Sequence, residues 1–399
     1  MLTTAQAAQA IANNLTPLGA ESVTLSAASG RVLRQQAVAE RDQPPFDRVM
    51  MDGIAIDHAT FAAGCRRFRL AASQAAGDEV ATIEHAEDCI EIMTGAVLPR
   101  GANCIIPVEK ISVDEGFASI ETGYEARKQQ FIHPQGSDYT RGTVVLHPGI
   151  RIRPTDVAVV ASCGLATVNV STQPSIRIIS TGNELVAAGQ PIEDHQVRLS
   201  NGPALSAMLE QHGFTDCRDD HLPDEITVLQ DRLAMHLAES DILVLSGGVS
   251  MGKADFVPQV LRDLGVRQVF HRISQRPGKP MWYGVGKQGQ SIFALPGNPV
   301  SSLVCCRHYV VPALQIASGM KEQGCQIAIL AEDVHFSPDL TCFLPVRLEF
   351  VASGQLRAIP VPTNTSGDFA SLAGTDGYVE LALEQEFFAS GTAVPFRAW

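Results

Sequence analysis

Residues 242–255 read ILVLSGGVSMGKAD. A short apolar run, Ile242 to Ser246, passes straight into Gly247-Gly248. Such a run, closed by a glycine turn, suits a strand buried on both faces in a parallel sheet. Glycine lets the backbone bend sharply and leaves N–H groups bare for an anion. The same residues also suit an ordinary βα connection. Two more glycine turns follow, QRPGKP (Gln275 to Pro280) and LPGNPVSS (Leu295 to Ser302), and the second again directly follows an apolar run, IFAL (Ile292 to Leu295).

Outward from this stretch the rhythm is strand, turn, helix. SIRIIS (Ser175 to Ser180) reads as a strand and TGNELV (Thr181 to Val186) as its turn. SNGPALSAMLEQHG reads as a helix, with Ser200 or Asn201 as its cap, Pro203 near its start and Gly213 at its end. DEITVLQDRLAMHL places Ile226, Leu229, Leu233 and Leu237 on one helical face. DFVPQVLRDLG is a helix stopped by Gly265, VRQVFHRISQRPGKPMWYG is extended, and PVSSLVCCRHYVVPALQIASG is a long helix. This alternation predicts an α/β domain with a parallel sheet and helices on both faces. Ligands of such sheets sit beyond the carboxyl ends of the strands. Thr181-Gly182, Ser246-Gly247-Gly248 and Pro296-Gly297-Asn298 all fall there, so one cleft is expected to gather them.

The flanks differ. Residues 3–15 suit a helix, residues 20–172 are mostly short β-like runs between Gly and Pro turns, and from about 323 short strands return. At 399 residues, two to four domains are expected. The formal charge of −13 argues against nucleic-acid and membrane-surface roles. No apolar run approaches the roughly 20 residues that cross a bilayer. The first basic residue is Arg31, which predicts a cytoplasmic protein without a secretory signal. The nine cysteines form no Cys-x-x-Cys pair and read as free thiols, with Cys305-Cys306 in the core of the last long helix.

Several side chains carry candidate chemistry. Ser246, Gly247 and Gly248 offer a phosphate turn. Asp255 suits either a helix cap or a divalent-metal ligand. Glu184, at another strand end, suits a solvated surface or a shared Mg²⁺ site with Asp255. Arg272, Ser274 and Arg276 stand at period two and Lys279 follows, which favours an oxyanion site over a charged edge strand. Pro299 pre-sets a first helical turn, and Ser301 offers a hydroxyl there, for capping and for a ligand alike. PPFDRVMMDGIAI (Pro44 to Ile56) and MTGAVLPRGANCIIPVE (Met93 to Glu109) contain Asp52-Gly53 and Thr94-Gly95, which by general rules are ordinary turns.

Taken in order, these segments resemble the molybdopterin molybdenumtransferase family, which includes the E domain of gephyrin. FDRVMMDGIAI is similar to that family's FDNSAMDGYA, and MTGAVLPRGANCIIPVE to its TGA-x-x-P-x-G-A-D-x-V-V-x-x-E. GSDYTRG, STGNEL, SGGVSMGKADF, PGKP, LPGNPVSS, LPVR and NTSGDFASL also match, so the resemblance spans nearly the whole chain. It implies four parts: a discontinuous linker domain (1–49 and 140–172), an inserted β-rich domain (50–139), a molybdopterin-binding α/β domain (173–322) and a C-terminal β-barrel (323–399). It implies a homodimer that inserts molybdate into adenylylated molybdopterin, releasing AMP with Mg²⁺. Its implied protein partners are the molybdopterin adenylyltransferase and downstream cofactor-handling proteins. Asp52, Thr94, Glu184, Asp224 and Asp255 match positions tied to activity, with Glu184 and Asp255 as metal ligands. Arg272, Arg276, Lys279, Pro296, Pro299, Ser301, Arg347 and Ser366 match substrate or molybdate positions. Asn183 stands where the family usually has Asp, and Arg272 and Arg276 stand where Lys is often seen. Two alternatives compete. An adenylyltransferase or nucleotide pyrophosphatase would share the SGG and PGNP turns, but is not expected to carry MMDGIAI, TGAVLP or LPVR. A pure scaffold is expected to carry an attached linker or second module.

Overall fold

In the strand Ile242–Ser246 every residue is buried, and the side chains divide by parity. Ile242 and Val244 join one core with Ile176, Ile178, Phe293 and Leu295. Leu243 and Leu245 join another with Ile179, Ile292 and Ala294. A strand covered on both faces must be apolar at every position, which is why this run shows no alternation. The structure, a computed structural model, describes residues 1–249, 256–322, 324–337, 339–352, 354–363 and 365–399. Asp255 lies outside the described residues.

The chain divides into two compact units. The first comprises residues 1–34, 148–153 and 168–399. One of its two six-stranded sheets runs, edge to edge, Cys217–Leu222, Ile176–Thr181, Ile242–Ser246, Ser291–Leu295, Trp282–Val285 and Arg267–His271. The first four strands are parallel. The last two continue the sheet antiparallel. The parallel core is thus the expected one, and the segment read as extended folds into its antiparallel edge. Arg272 ends that run because its φ of 76° turns the chain out of the strand.

Helices cover both faces. Asn201–Gln211 buries Leu205, Met208 and Leu209 on one side, and Ile226–Glu239 buries Leu229 and Leu233 on the other. Ile226, assigned to the same apolar face, stays exposed. Thr4–Ala12 starts with a capping box between Thr3 and Gln6 and sets Ala7 and Ile11 into the first core. The last long helix starts at Pro299, passes through a wider turn at Cys306–Val310 and ends at Ala317. Pro312 explains the wide turn. It has no N–H, and its ring would crowd the carbonyl four residues back, so Val311 N–H reaches Cys306 O instead. This helix is long and apolar enough to match a membrane span, but it is mostly buried inside the protein. All nine cysteines are free thiols. Cys305 and Cys306 are fully buried, and burial pushes the Cys305 thiol up to about 12.

The other six-stranded sheet of this unit closes on itself through five of its strands. Thr341–Phe350 pairs with Leu356–Pro360, which pairs with Gln326–Leu330, then Ala393–Ala398, then Gly377–Leu381, and that strand returns to Thr341–Phe350. Closure leaves no free edge among these five strands. Gln275–Arg276 adds to Thr341-Cys342 from outside.

The second unit comprises residues 35–147 and 154–167. It is built on a sheet ordered Cys104–Pro107, Gly53–Ile56, Asp88–Ile92, Arg67–Gln74, Phe117–Ile120 and Ile111–Asp114. Its central strands are again covered on both faces. Ile54, Ile56 and Ile106 face one cluster, and Ala55, Ile90 and Ile105 face the other.

Candidate functional site

The strand from Ile176 leads to Cys217–Leu222 on one side and lies against Ile242–Ser246 on the other. The chain therefore changes direction between Thr181 and Ser246. Connections leave these two strands on opposite faces, and a crevice opens where they part. A cleft of about 610 Å³ lies there. It is lined by Thr181, Glu184, Arg198, Asn201, Asp224, Ser246-Gly247-Gly248 and Pro296-Gly297-Asn298-Pro299. A hollow of about 330 Å³ lies at the opposite, amino ends of the strands, around Ser175, Asp241 and Gly289. That end has the carboxylates of Glu239 and Asp241, but none of the glycine turns that follow the parallel strands.

Gly247 and Gly248 are needed for close approach. A Cβ on Gly247, at φ 105°, would stand 2.7 Å from both Thr181 O and Thr181 Oγ1. A Cβ on Gly248 would stand 2.6 Å from Val257 Cγ2. Gly297 brings the third turn against Gly247, with 3.5 Å between an added Cβ and Gly247 Cα.

Asn201 ties the turns together. Its Nδ2 donates to Ser246 Oγ and to Gly297 O, both at 2.8 Å. A carbonyl oxygen only accepts, so Nδ2 is the nitrogen and Oδ1 is left as an acceptor. Among the described residues, buried Oδ1 meets no hydrogen-bond partner, and neither does Thr181 Oγ1. The helix that begins at Asn201 and the helix that begins at Pro299 both start on this cleft, with their positive dipole ends toward it. Among the described residues, neither has a side-chain cap bond at its N-terminus. Asn201 was expected among the caps; instead its side chain crosses to the neighbouring turns. Asn298 donates to Ser366 Oγ at 2.6 Å, and Ser366 O accepts from Val300 N–H at 3.2 Å. Ser366 thereby borders the cleft.

The other expected residues are placed differently. Ser301 is buried, and it is Ser302 whose hydroxyl meets Ser246 Oγ, at 3.3 Å. Arg276 and Lys279 are exposed and Arg272 is half-buried; none of them lines the cleft. The turn at Arg272 removes the period-two alignment of Arg272, Ser274 and Arg276. Arg347 is exposed on the barrel strand Thr341–Phe350. Among the described residues, the cationic side chain lining the cleft is Arg198, whose Nη1 donates to Ala187 O and Gln190 O. Sequence reasoning missed it, because Arg198 lies in an irregular excursion rather than beside a glycine turn.

The second unit holds a separate polar pair. Asp52 Oδ1 accepts from Thr94 N–H and from Thr94 Oγ1, both at 2.7 Å. The Thr94 backbone and hydroxyl bonds hold the Asp52 carboxyl below its ordinary range. Gly53 is compulsory beside it: an added Cβ would stand 1.9 Å from Ile106 O. Both side chains are exposed.

A metal fits this donor set in part. Glu184 and Asp224 bring two carboxylates to one cleft. Mg²⁺ commonly takes one or two protein carboxylates and fills its other positions with water and substrate phosphate. Among the described residues, no group of three or more His, Cys, Asp or Glu side chains forms a protein-only cage.

Three family models match in order. The MoeA N-terminal region (domain I and II) covers residues 2–164, a probable molybdopterin binding domain covers 177–316, and the MoeA C-terminal region (domain IV) covers 328–399. A molybdopterin molybdenumtransferase of Synechocystis sp. is 36% identical over 400 residues, covering all of both chains. The chain belongs to the molybdopterin molybdenumtransferase family. A namesake from Staphylococcus aureus is 30% identical over 399 residues, covering 98% of this chain and 93% of its own. The crystal structure of a molybdopterin biosynthesis protein from Pyrococcus horikosii superposes with a TM-score of 0.82 at 29% identity, over the full length of both chains.

Proposed function

We propose that this chain is a molybdopterin molybdenumtransferase that inserts molybdate into adenylylated molybdopterin and releases AMP. The observation that carries the reading is the cleft where the Ile176 and Ile242 strands part, in a chain matched end to end by that family. The substrate bears a phosphoanhydride and a terminal phosphate. Two helix N-termini and the backbone of three turns suit such groups. Asn201 Oδ1 accepts from a donor on the ligand, and Thr181 Oγ1 donates to it. Arg198 adds positive charge at the rim.

Glu184 and Asp224 would hold Mg²⁺, joined by Asp255. Bound there, the ion would supply positive charge against the phosphates of the anhydride. The chain's own part is to fix the phosphates, to orient the dithiolene and to keep Asp52 ionised. Arg272, Arg276, Lys279, Arg347, Ser301 and Ser366 are assigned to the molybdate path, and Asp52 and Thr94 to catalysis, on their match to family positions. The four-part domain division, the homodimer, the adenylyltransferase partner and the cytoplasm belong to the same proposal.

The test mixes purified protein, adenylylated molybdopterin, Mg²⁺ and molybdate. AMP release and activation of an apo-molybdoenzyme are followed together. Both are expected, and both only with molybdate. AMP release without molybdenum capture would make the chain a hydrolase instead.

A further inference from the structure

We propose that His221 is a positioning residue for the Glu184 carboxylate. The inference rests on the reading of Glu184 as a metal ligand. Glu184 is exposed and sits on an excursion between strand ends, so something must fix its carboxylate. A Cβ built on Gly182 would stand 2.7 Å from Glu184 Oε2. The carboxylate is therefore folded over the bare face of Gly182, and the placement of Gly182 sets that of the carboxylate.

Gly182 is held from the neighbouring strand. Its N–H donates to Leu222 O at 3.2 Å, and its carbonyl accepts from His221 Nε2 at 2.8 Å. The carbonyl can only accept, so Nε2 carries the proton. Asp224 N–H adds a 3.1 Å bond to Asn183 Oδ1. His221 is anchored in turn. Its N–H donates to Asp220 Oδ1 at 2.9 Å, while Asp220 Oδ2 accepts from Arg232 Nη2 and from buried His236 Nε2, each at 2.6 Å. A fixed, doubly paired carboxylate thus supports the backbone of His221, whose ring steadies the glycine beneath Glu184. The sheet ladder does not require the ring bond, since the ladder pairs the His221 backbone with Ser180.

The test uses full-length protein and Mn²⁺ alone as probe, with free Mn²⁺ followed by electron paramagnetic resonance. Loss of a residue that orients a metal ligand typically weakens metal binding about 10- to 100-fold. His221→Ala is expected to weaken Mn²⁺ binding by about tenfold, and His221→Gln, which keeps a donor, to restore most of it. Thermal midpoints should stay within about 2 °C of wild type. In the insertion assay, His221→Ala should raise the Mg²⁺ needed for half-maximal AMP release and leave the saturated rate unchanged. Wild-type Mn²⁺ affinity in His221→Ala overturns the proposal. So does a Gln variant as weak as the Ala variant, or Mn²⁺ binding unaffected by Glu184→Ala. If His221→Ala weakens Mn²⁺ binding while wild type inserts no molybdenum, the positioning role stands and the transferase reading falls.

Discussion

The cleft at the parting strands and the Asp52–Thr94 pair are both polar sites next to indispensable glycines, yet they are built in opposite ways. The cleft is distributed: three turns, two helix N-termini and several side chains share it. The pair is concentrated: one carboxylate oxygen accepts both bonds from a single threonine. A distributed site tolerates the loss of one side chain because backbone groups remain. A concentrated site does not.

That contrast can be broken at four points. The largest effect is expected from Gly53→Ala. The added methyl collides with Ile106 O of the adjoining, fully buried strand Cys104–Pro107, so the second unit should lose about 3 kcal/mol or more in urea denaturation. Unchanged stability would refute the close approach. Next comes Asp52→Ala, which should cut the rate of AMP release about 100-fold or more, with the thermal midpoint nearly unchanged. A tenfold effect or less would place Asp52 outside the chemistry. Asn201→Ala should be milder, raising KM about tenfold with kcat within a few-fold, because it removes one acceptor and leaves the turns' N–H groups in place. Asn201→Asp should be worse than Ala, since its carboxylate faces Gly297 O where a donor stood. The smallest effect concerns pH. The folded-state pKa of Asp52 lies below its ordinary value of 3.8, so the stability it contributes is present above that value and lost as pH falls through the lowered one. The Thr94 amide resonance should therefore titrate with a midpoint below 3.8. A midpoint above it would mean the two bonds do not favour the ionised form.

The two sites also differed in how far sequence could take them. The parallel strands and the three turns follow from apolar runs that end in glycine, because burial on both faces leaves no other composition open. Asn201 was legible only as a helix start, where Asn normally caps. Its actual partners, Ser246 and Gly297, lie far along the chain. The period-two alignment of Arg272, Ser274 and Arg276 does not hold, because it presumes a continuous strand and the chain turns at Arg272. Asp52 and Thr94 follow from no local rule. Each looks like a turn residue, and only long-range pairing brings them together, so the family resemblance was the one available signal.

The most direct test of the account asks where the phosphate-bearing substrate sits. Backbone amide resonances are followed while AMP, with Mg²⁺, is titrated into the full-length protein. The account predicts shifts at Gly247, Gly248, Asn201 and Gly297, and none at Ser175, Asp241 or Gly289 around the smaller hollow. Shifts confined to that hollow, with the glycine turns silent, would contradict it.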